Sequence, residues 1–86
     1  MAEIDQAFLT VDHNLKHAGG KGWSQVFRVN LYYTDGSPQA LGRVAENMKK
    51  WMPNHKPILT GIGVKELALE GMHIEIEVSA YVKDEN

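Results

Sequence analysis

Apolar residues near the start of the chain recur at helical intervals. Neighbouring members of the set stand one to four positions apart and fall on one side of a helical wheel: Ile4, Ala7, Phe8, Val11 and Leu15. This spacing is typical of the apolar stripe of an amphipathic helix. Gly19 and Gly20 follow the stripe, and glycine commonly ends helices. The first segment is therefore predicted to be a helix that packs one face on a core.

The next apolar run alternates at every second position instead. Phe27, Val29, Leu31 and Tyr33 are separated by Arg28, Asn30 and Tyr32. Such alternation predicts a strand with an apolar face and a mixed face. The turn Asp35-Gly36 follows, after which Ser37 and Pro38 fit the N-cap and first position of a new helix.

This second helix is predicted to continue to Pro53, which stops it. Its apolar positions again follow helical spacing: Leu41, Val44, Ala45, Met48, Trp51 and Met52. The charged residues between them are assigned to the solvent side: Arg43, Glu46, Lys49 and Lys50.

Two further runs alternate like strands, over 58–64 and 74–82. The predicted order is α-β-α-β-β, an α+β fold with two helices packed on one face of a mixed β-sheet. The other face would present polar, ionic and aromatic side chains: Arg28, Asn30, Tyr32, Glu75, Glu77, Ser79 and Tyr81. Such a surface fits a subunit interface, a small-ligand cleft or a half-solvated sheet face.

The 86 residues are expected to form a single domain, residues 1–86. A net charge of -2 argues against a dedicated nucleic-acid binder and gives no sign of a membrane-surface protein. The absence of cysteine excludes a disulfide, a thiolate nucleophile and a cysteine zinc site. No run approaches the ~20 apolar residues of a membrane span. We therefore expect a cytoplasmic protein and leave a mitochondrial location open. We expect no cofactor. So small a chain favours a ligand site between subunits over an internal one.

His13 and His17 stand four residues apart, the spacing of a helical metal-binding pair. Asn14 occupies the place where a zinc protease has glutamate, and the sequence offers no third ligand. We therefore expect solvent-exposed histidines and no metal site. His55 and His73 could each line a cleft, but we interpret them as structural or incidental residues.

The whole chain resembles the YjgF/RidA family of reactive intermediate deaminases. The resemblance rests on the strand ending in Tyr33-Thr34-Asp35, on Pro57 before the next strand, and on Ile74-Glu75-Ile76-Glu77 followed by Ala80. It implies a chorismate-mutase-like fold and a homotrimer with substrate clefts between neighbouring subunits. Full-length members begin with a further stretch that contributes a β-hairpin, which this sequence does not show before its first helix.

The resemblance also assigns site residues. The deaminases carry an arginine that grips the substrate carboxylate, and Leu59 stands at its position, followed by Thr60 and Gly61. A neutral leucine cannot form that ion pair, so hydrolysis of imino acids in the standard way is not expected. A family asparagine on the second helix is replaced near Ala45.

Glu75 matches the family carboxylate that positions the hydrolytic water, and a glutamate can orient or deprotonate water. It is the predicted catalytic residue. Arg28, on the same predicted sheet face, is a candidate substrate-binding residue together with Leu59, Thr60 and Gly61. The alternative is that Glu75 forms a structural ion pair with Arg28 across the sheet.

Three functions stay open at this point. The first is a diverged enamine or imine hydrolase acting on a neutral or bulkier substrate. The second is a non-catalytic trimeric module that binds a small molecule or a protein. The third is an endoribonuclease, an activity historically attached to the family. A basic cluster could serve it, but nucleic-acid binding is not expected of this acidic chain: Arg43, Lys49, Lys50, His55 and Lys56.

Overall fold

A computed structural model describes residues 2–82. The chain forms α1 (Ala2–His17), a single 3-10 turn (Gly22–Gln25), β1 (Val26–Tyr33), α2 (Pro38–Trp51), β2 (Ile58–Gly63) and β3 (Ile74–Ala80). The predicted order of helices and strands is confirmed, with the 3-10 turn as an unpredicted addition.

The three strands form one mixed sheet with β1 at its centre. β2 pairs parallel to β1, with Asn30 beside Thr60, and β3 pairs antiparallel on the other edge, with Asn30 beside Glu77. A parallel pair needs a crossover connection, which α2 supplies. The sheet therefore leaves the outer edges of β2 and β3 unpaired within residues 2–82.

Both helices cover the same face of the sheet, and the core lies between them and β1. Phe8 and Val29 are fully buried, and the ring of Phe8 stacks on that of Trp23 with centroids 5.1 Å apart. The indole Nε1 of Trp23 donates to the Phe8 carbonyl at 2.9 Å, so the buried indole keeps a hydrogen bond. Two helices on a mixed sheet are the predicted α+β architecture.

The helix ends follow their local sequence. At the end of α1, Gly19 has a positive φ of 97°, and the amide of Gly20 donates to the Leu15 carbonyl at 2.9 Å, the arrangement of a Schellman motif. At the start of α2, the Ser37 hydroxyl accepts from the amide of Ala40 at 3.2 Å, and Pro38 is the first helical residue. These signals fix where each helix stops and starts.

Phe27 differs from its prediction as a core residue, being 47% exposed. The β1–β3 register shifts between Val26 and Arg28, and a β-bulge of this kind changes the side of the sheet that following residues face. Val26 occupies the core position instead and is 1% exposed.

Arg43 also differs from its prediction as a simple solvent-facing residue. Its guanidinium grips the Asp5 carboxylate with two bonds, Nε to Oδ1 at 2.7 Å and Nη2 to Oδ2 at 2.6 Å. The amide of the buried Asn47 donates to the same carboxylate at 2.8 Å. These hydrogen bonds, that from Arg43 foremost, hold the pKa of Asp5 well below its usual range. The cluster fastens α1 to α2.

Asp12 is a buried carboxylate that the helical pattern alone does not single out. It is 8% exposed, accepts from the Trp23 amide at 3.4 Å and pairs with the Lys16 ammonium at 2.8 Å. Gly22 passes beside it with a positive φ of 79°, and a Cβ at this position would collide with the carboxylate. The turn into β1 therefore requires glycine at position 22.

Within the described part of the chain, neither helix has the length and apolar character needed to cross a membrane.

Candidate functional site

An open cavity lies between α2 and β2 on the helix-covered face of the sheet, with a volume of about 960 Å³. Its floor is formed by β1 and β2, one wall by α2, and one end by the connection that follows α2. Most of the lining is apolar, and the lining residues are Leu31, Tyr33, Leu41, Val44, Ala45, Met48, Lys49, Met52, Pro53, Asn54, His55, Lys56, Pro57, Leu59 and Gly61.

The register of β2 decides which of its residues reach this cavity. Leu59 and Gly61 pair with the core residues Val29 and Leu31, so they face the helices and line the cavity. Leu59 is 50% exposed, and a Cβ on Gly61 would lie 3.4 Å from the ring of Tyr33. Glycine at this position therefore leaves uncovered the part of the Tyr33 ring that a side chain would contact.

His55 fixes the end of the cavity to the sheet. Its Nε2 lies 2.8 Å from the carbonyl oxygen of Val26. A carbonyl oxygen only accepts, so Nε2 carries the proton and donates to it. The side chain is half-buried, and this bond holds the connection between Pro53 and Pro57 against β1.

The outer face of the sheet carries the acidic residues. Glu75 lies opposite Tyr32, and Glu77 lies opposite Asn30. Glu77 accepts from the Asn30 amide at 3.0 Å and from the Tyr32 hydroxyl at 3.4 Å. The negative charge of Glu77 is the main cause that raises the pKa of the Tyr32 phenol, followed by burial, the hydrogen bond to Glu77 and the charge of Glu75. Both glutamates are exposed, but Glu77 is held by two hydrogen bonds from β1.

The alternative of a Glu75–Arg28 ion pair is wrong. Arg28 lies opposite Ser79, four residues along β3 from Glu75. At about 3.3 Å per residue this offset exceeds the reach of a salt bridge. The Glu75 carboxylate has no hydrogen-bond or ion-pair partner among residues 2–82, which leaves it available for another group.

The five residues that the sequence assigns to the site divide between the two faces of the sheet. Leu59 and Gly61 face the helices, whereas Thr60 pairs with Asn30 and shares the outer face with Arg28 and Glu75. One chain therefore does not bring the Leu59 side chain and the Glu75 carboxylate to the same small molecule.

A second, smaller cavity of about 280 Å³ lies at the opposite end of α2, beside the start of α1. Glu3 and His73 form part of its lining. The Glu3 carboxylate accepts from the His73 amide at 2.6 Å and contacts His73 Nδ1 at 2.7 Å. Hydrogen bonds from the side chain and then the backbone of His73 lower the pKa of Glu3. This contact ties α1 to the start of β3.

His13 and His17 are exposed on α1, with ring centroids 6.3 Å apart. Residues 2–82 contain no group of three or more potential metal ligands. The pair is therefore without the further ligands that a metal centre needs.

Tyr33, Lys49 and Lys56 were not predicted to be cavity residues, and His55 was interpreted as structural or incidental. Pro53 and Pro57 bracket a short connection next to β2, and this bracketing was the available signal that its side chains are held beside the strand. His55 donates to a backbone carbonyl of β1, and the sequence alone does not reveal this hydrogen bond.

Comparison with known proteins gives a consistent picture. A family model described as Endoribonuclease L-PSP matches residues 1–82. No curated protein matches the chain significantly. Similar solved structures include a member of the YjgF/YER057c/UK114 family from Mycobacterium tuberculosis, with 26% identity and a TM-score of 0.78. A Rid-family protein of unknown function from Yersinia pestis has 28% identity and a TM-score of 0.80, and RidA from Psychrobacter has 23% and 0.78.

The similarity covers 92% of this chain in all three cases, and 64%, 59% and 61% of the respective solved chains. The chain thus spans less than two thirds of the length of each of these structures. Because the family model matches nearly the whole sequence and the strand order is that of the solved members, the chain belongs to the endoribonuclease L-PSP family, the YjgF/RidA family.

Proposed function

We propose that this chain is a diverged enamine or imine hydrolase of the RidA type, working in a cleft between the subunits of a homotrimer. The observation that carries the proposal is the placement of the candidate residues. Leu59 and Gly61 line an open apolar cavity on one face of the sheet. On the other face, Glu75 is exposed and has no hydrogen-bond or ion-pair partner within the described residues 2–82. A site that uses both needs two copies of the chain.

The shape of the molecule supports a shared site. β2 is an edge strand whose residues are all exposed, and it borders the cavity. The outer face also exposes apolar side chains of β2, with Ile58 61% and Ile62 42% exposed. A second copy that placed its outer face beside this cavity would cover both apolar surfaces and bring its Glu75 toward Leu59.

Glu75 would act on water in this cleft. In the protonated imine, the Glu75 carboxylate accepts a proton from water as the water oxygen bonds to the imine carbon and the π pair of the carbon–nitrogen double bond moves to nitrogen, which gives a carbinolamine. The protonated Glu75 then returns this proton to the carbinolamine nitrogen. As the hydroxyl group gives its proton back to the Glu75 carboxylate, the carbon–oxygen double bond forms, the carbon–nitrogen bond breaks and ammonia leaves, taking that proton as ammonium. An enamine enters the same route after protonation on carbon.

Leu59 shapes the substrate range. It offers an apolar contact where the deaminases resembling this chain place an arginine, and Gly61 and Tyr33 continue the same wall. The substrate is therefore an imine or enamine with an apolar group that packs on Leu59. The guanidinium-to-carboxylate contact of the deaminases is not part of this site.

A non-catalytic binding module is the second candidate, favoured by one observation. The chain forms a cavity although Leu59 stands where the deaminases that it resembles place an arginine, and a fold can bind a ligand without turning it over.

Ammonia release from imines generated in situ tests the proposal. We expect the protein to accelerate hydrolysis of an imine with an apolar side chain. Glu75→Gln should lower that rate at least about 100-fold, since general-base catalysis contributes about 10²–10⁴-fold, while its melting temperature and assembly stay unchanged. Glu70→Gln, an exposed glutamate outside the sheet, is the matched control and should keep full activity. No acceleration by the native chain, or full activity of Glu75→Gln, contradicts the proposal; saturable binding of the substrate without turnover supports the binding module.

A further inference from the structure

We infer that the cavity between α2 and β2 binds a small organic anion with an apolar body, and that Lys49 and Lys56 supply the positive charge. This inference rests on the proposed function, because it names the substrate class of the same cavity. It follows from the way the fold distributes the basic cluster of the sequence.

The five basic residues of that cluster do not form one surface. The Arg43 guanidinium is committed to Asp5 and to Glu46, whose carboxylate it meets at 2.7 Å. The Lys50 ammonium lies 5.2 Å from the centre of the Trp51 ring, outside the cavity. Neither residue is available to a ligand in the cavity.

The other three basic residues line the cavity together: Lys49, His55 and Lys56. Lys49 belongs to the last turn of α2, and Lys56 follows in the connection that leads into β2. Neither lysine forms a salt bridge among residues 2–82. The end of α2 and the connection therefore bring two lysines without a salt-bridge partner among residues 2–82 to the lining of an apolar cavity.

The described lining contains no aspartate or glutamate, so nothing within the cavity neutralises these lysines. His55 does not compete with them for an anion through Nε2, because that N–H donates to the Val26 carbonyl. The same bond holds the connection against β1 and so positions Lys56 at the cavity end.

The remaining lining determines the other half of the ligand. Met48, Met52 and Leu59 present aliphatic side chains, and the Tyr33 ring lies beside Gly61. Burying apolar ligand surface against such a wall is favourable by about 25 cal/mol per Å². An anionic head near the lysines and an apolar body along Leu59 complement the cavity in both charge and polarity.

Phenylacetate and its neutral isostere phenylacetamide are suitable probes, followed by amide NMR titration of the full chain. We expect phenylacetate to shift the amide signals of Leu59 and Gly61 and to bind more tightly than phenylacetamide. Lys49→Gln and Lys56→Gln should each weaken phenylacetate binding by about 2- to 5-fold, the range of a partly solvated ion pair. Added salt should weaken binding of the anion alone.

Lys50→Gln is the matched control, since it removes the same charge from the same helix end but outside the cavity. Its affinity for phenylacetate should stay within about 1.5-fold of the native value, because screening weakens the effect of a charge outside the site. The melting temperatures of all three variants should match that of the native chain, since these lysines are exposed. Any one of four results overturns the inference. The first two are equal affinity for the two probes and a loss of affinity in Lys50→Gln as large as in the cavity variants. The other two are amide shifts confined to the outer face of the sheet and no binding of phenylacetate.

The imine assay separates this inference from the proposed function. Turnover of a neutral imine, together with phenylacetate binding that is insensitive to Lys49→Gln and Lys56→Gln, upholds the hydrolase and overturns the anion site. Lysine-dependent binding of phenylacetate without any imine turnover upholds the anion site and overturns the hydrolase.

Discussion

The two faces of the sheet differ in burial and in the polarity of their side chains. On the helix-covered face, Val29 and Leu31 are 0% and 3% exposed, and α1 and α2 pack over them. On the outer face, Glu75 and Thr60 are exposed, and a hydrogen-bonded pair of side chains, Asn30 and Glu77, crosses the strands. The covered face holds most of the buried core of one chain, whereas the outer face includes Glu75, a carboxylate without a hydrogen-bond or ion-pair partner among residues 2–82.

This contrast changes how the candidate site is understood. The residues that resemble a family active site lie partly on the face that folds the chain and partly on the face that does not. Leu59 reaches the edge of the covered face, and Glu75 lies on the outer one. The comparison therefore favours a site completed by a neighbouring copy.

The largest expected effect is a difference between the two faces of the sheet in how much their side chains contribute to the free energy of unfolding. Phe8→Ala removes a ring that is 0% exposed and stacked on Trp23, and it should lower the free energy of unfolding by about 3–5 kcal/mol. Ser79→Ala, on the outer face, should change it by less than about 0.5 kcal/mol. Urea unfolding of both variants checks this difference. An equal loss in the two variants would show that the outer face contributes as much as the core.

A smaller expected effect concerns how the contact between Glu3 and His73 contributes to the free energy of unfolding at acidic pH. His73 lowers the pKa of Glu3, so the carboxylate stabilises the fold fully above the ordinary pKa of glutamate. That stabilisation is lost as the pH falls through the lowered value. Because the Glu3 side chain is 44% exposed, its contribution is less than about 1 kcal/mol.

Glu3→Gln should therefore reduce the drop in unfolding free energy between neutral and acidic pH. Urea unfolding across that pH range measures the drop, with the exposed Glu66→Gln as control. A steeper drop in Glu3→Gln than in the native chain would contradict the stabilising role of this contact.

The smallest effect tests the charges of the outer face. Glu77→Gln should lower the pKa of Tyr32 toward the ordinary phenol value, since the charge of Glu77 is the main cause of its rise. Glu75→Gln should lower it less, because its charge makes the weakest of the four contributions. NMR titration of the Tyr32 ring ranks the two variants. The reverse ranking would place Glu75 closer to Tyr32 than the structure does.

The sequence predicted those parts of the fold that depend on local chemistry. Ser37 and Pro38 identify the start of α2, and alternation identifies the inward side of β3 through Ile74, Ile76 and Val78. These signals suffice because capping and amphipathic periodicity act between residues close in the chain.

Other features depend on which residues meet across the fold, and the sequence did not reveal them. The bulge that exposes Phe27 arises from the β1–β3 register. The buried Asn47 becomes visible as a polar core residue only once Asp5 is placed beside it. The separation of Leu59 from Glu75 likewise follows from the pairing of β2 with β1, which a single run of alternating residues does not specify.

The most direct test of a shared site is complementation between two inactive variants. One variant carries Leu59→Trp and Gly61→Trp, which fill the cavity beside Tyr33, and the other carries Glu75→Gln. Each should be inactive alone in the imine assay. The two variants are mixed in equal amounts, and native mass spectrometry verifies the composition of the mixed oligomers. Random assembly should then restore about a quarter of the native activity, because one interface in four combines an open cavity with an intact Glu75. Mixed oligomers that form but stay inactive would contradict a site shared between subunits.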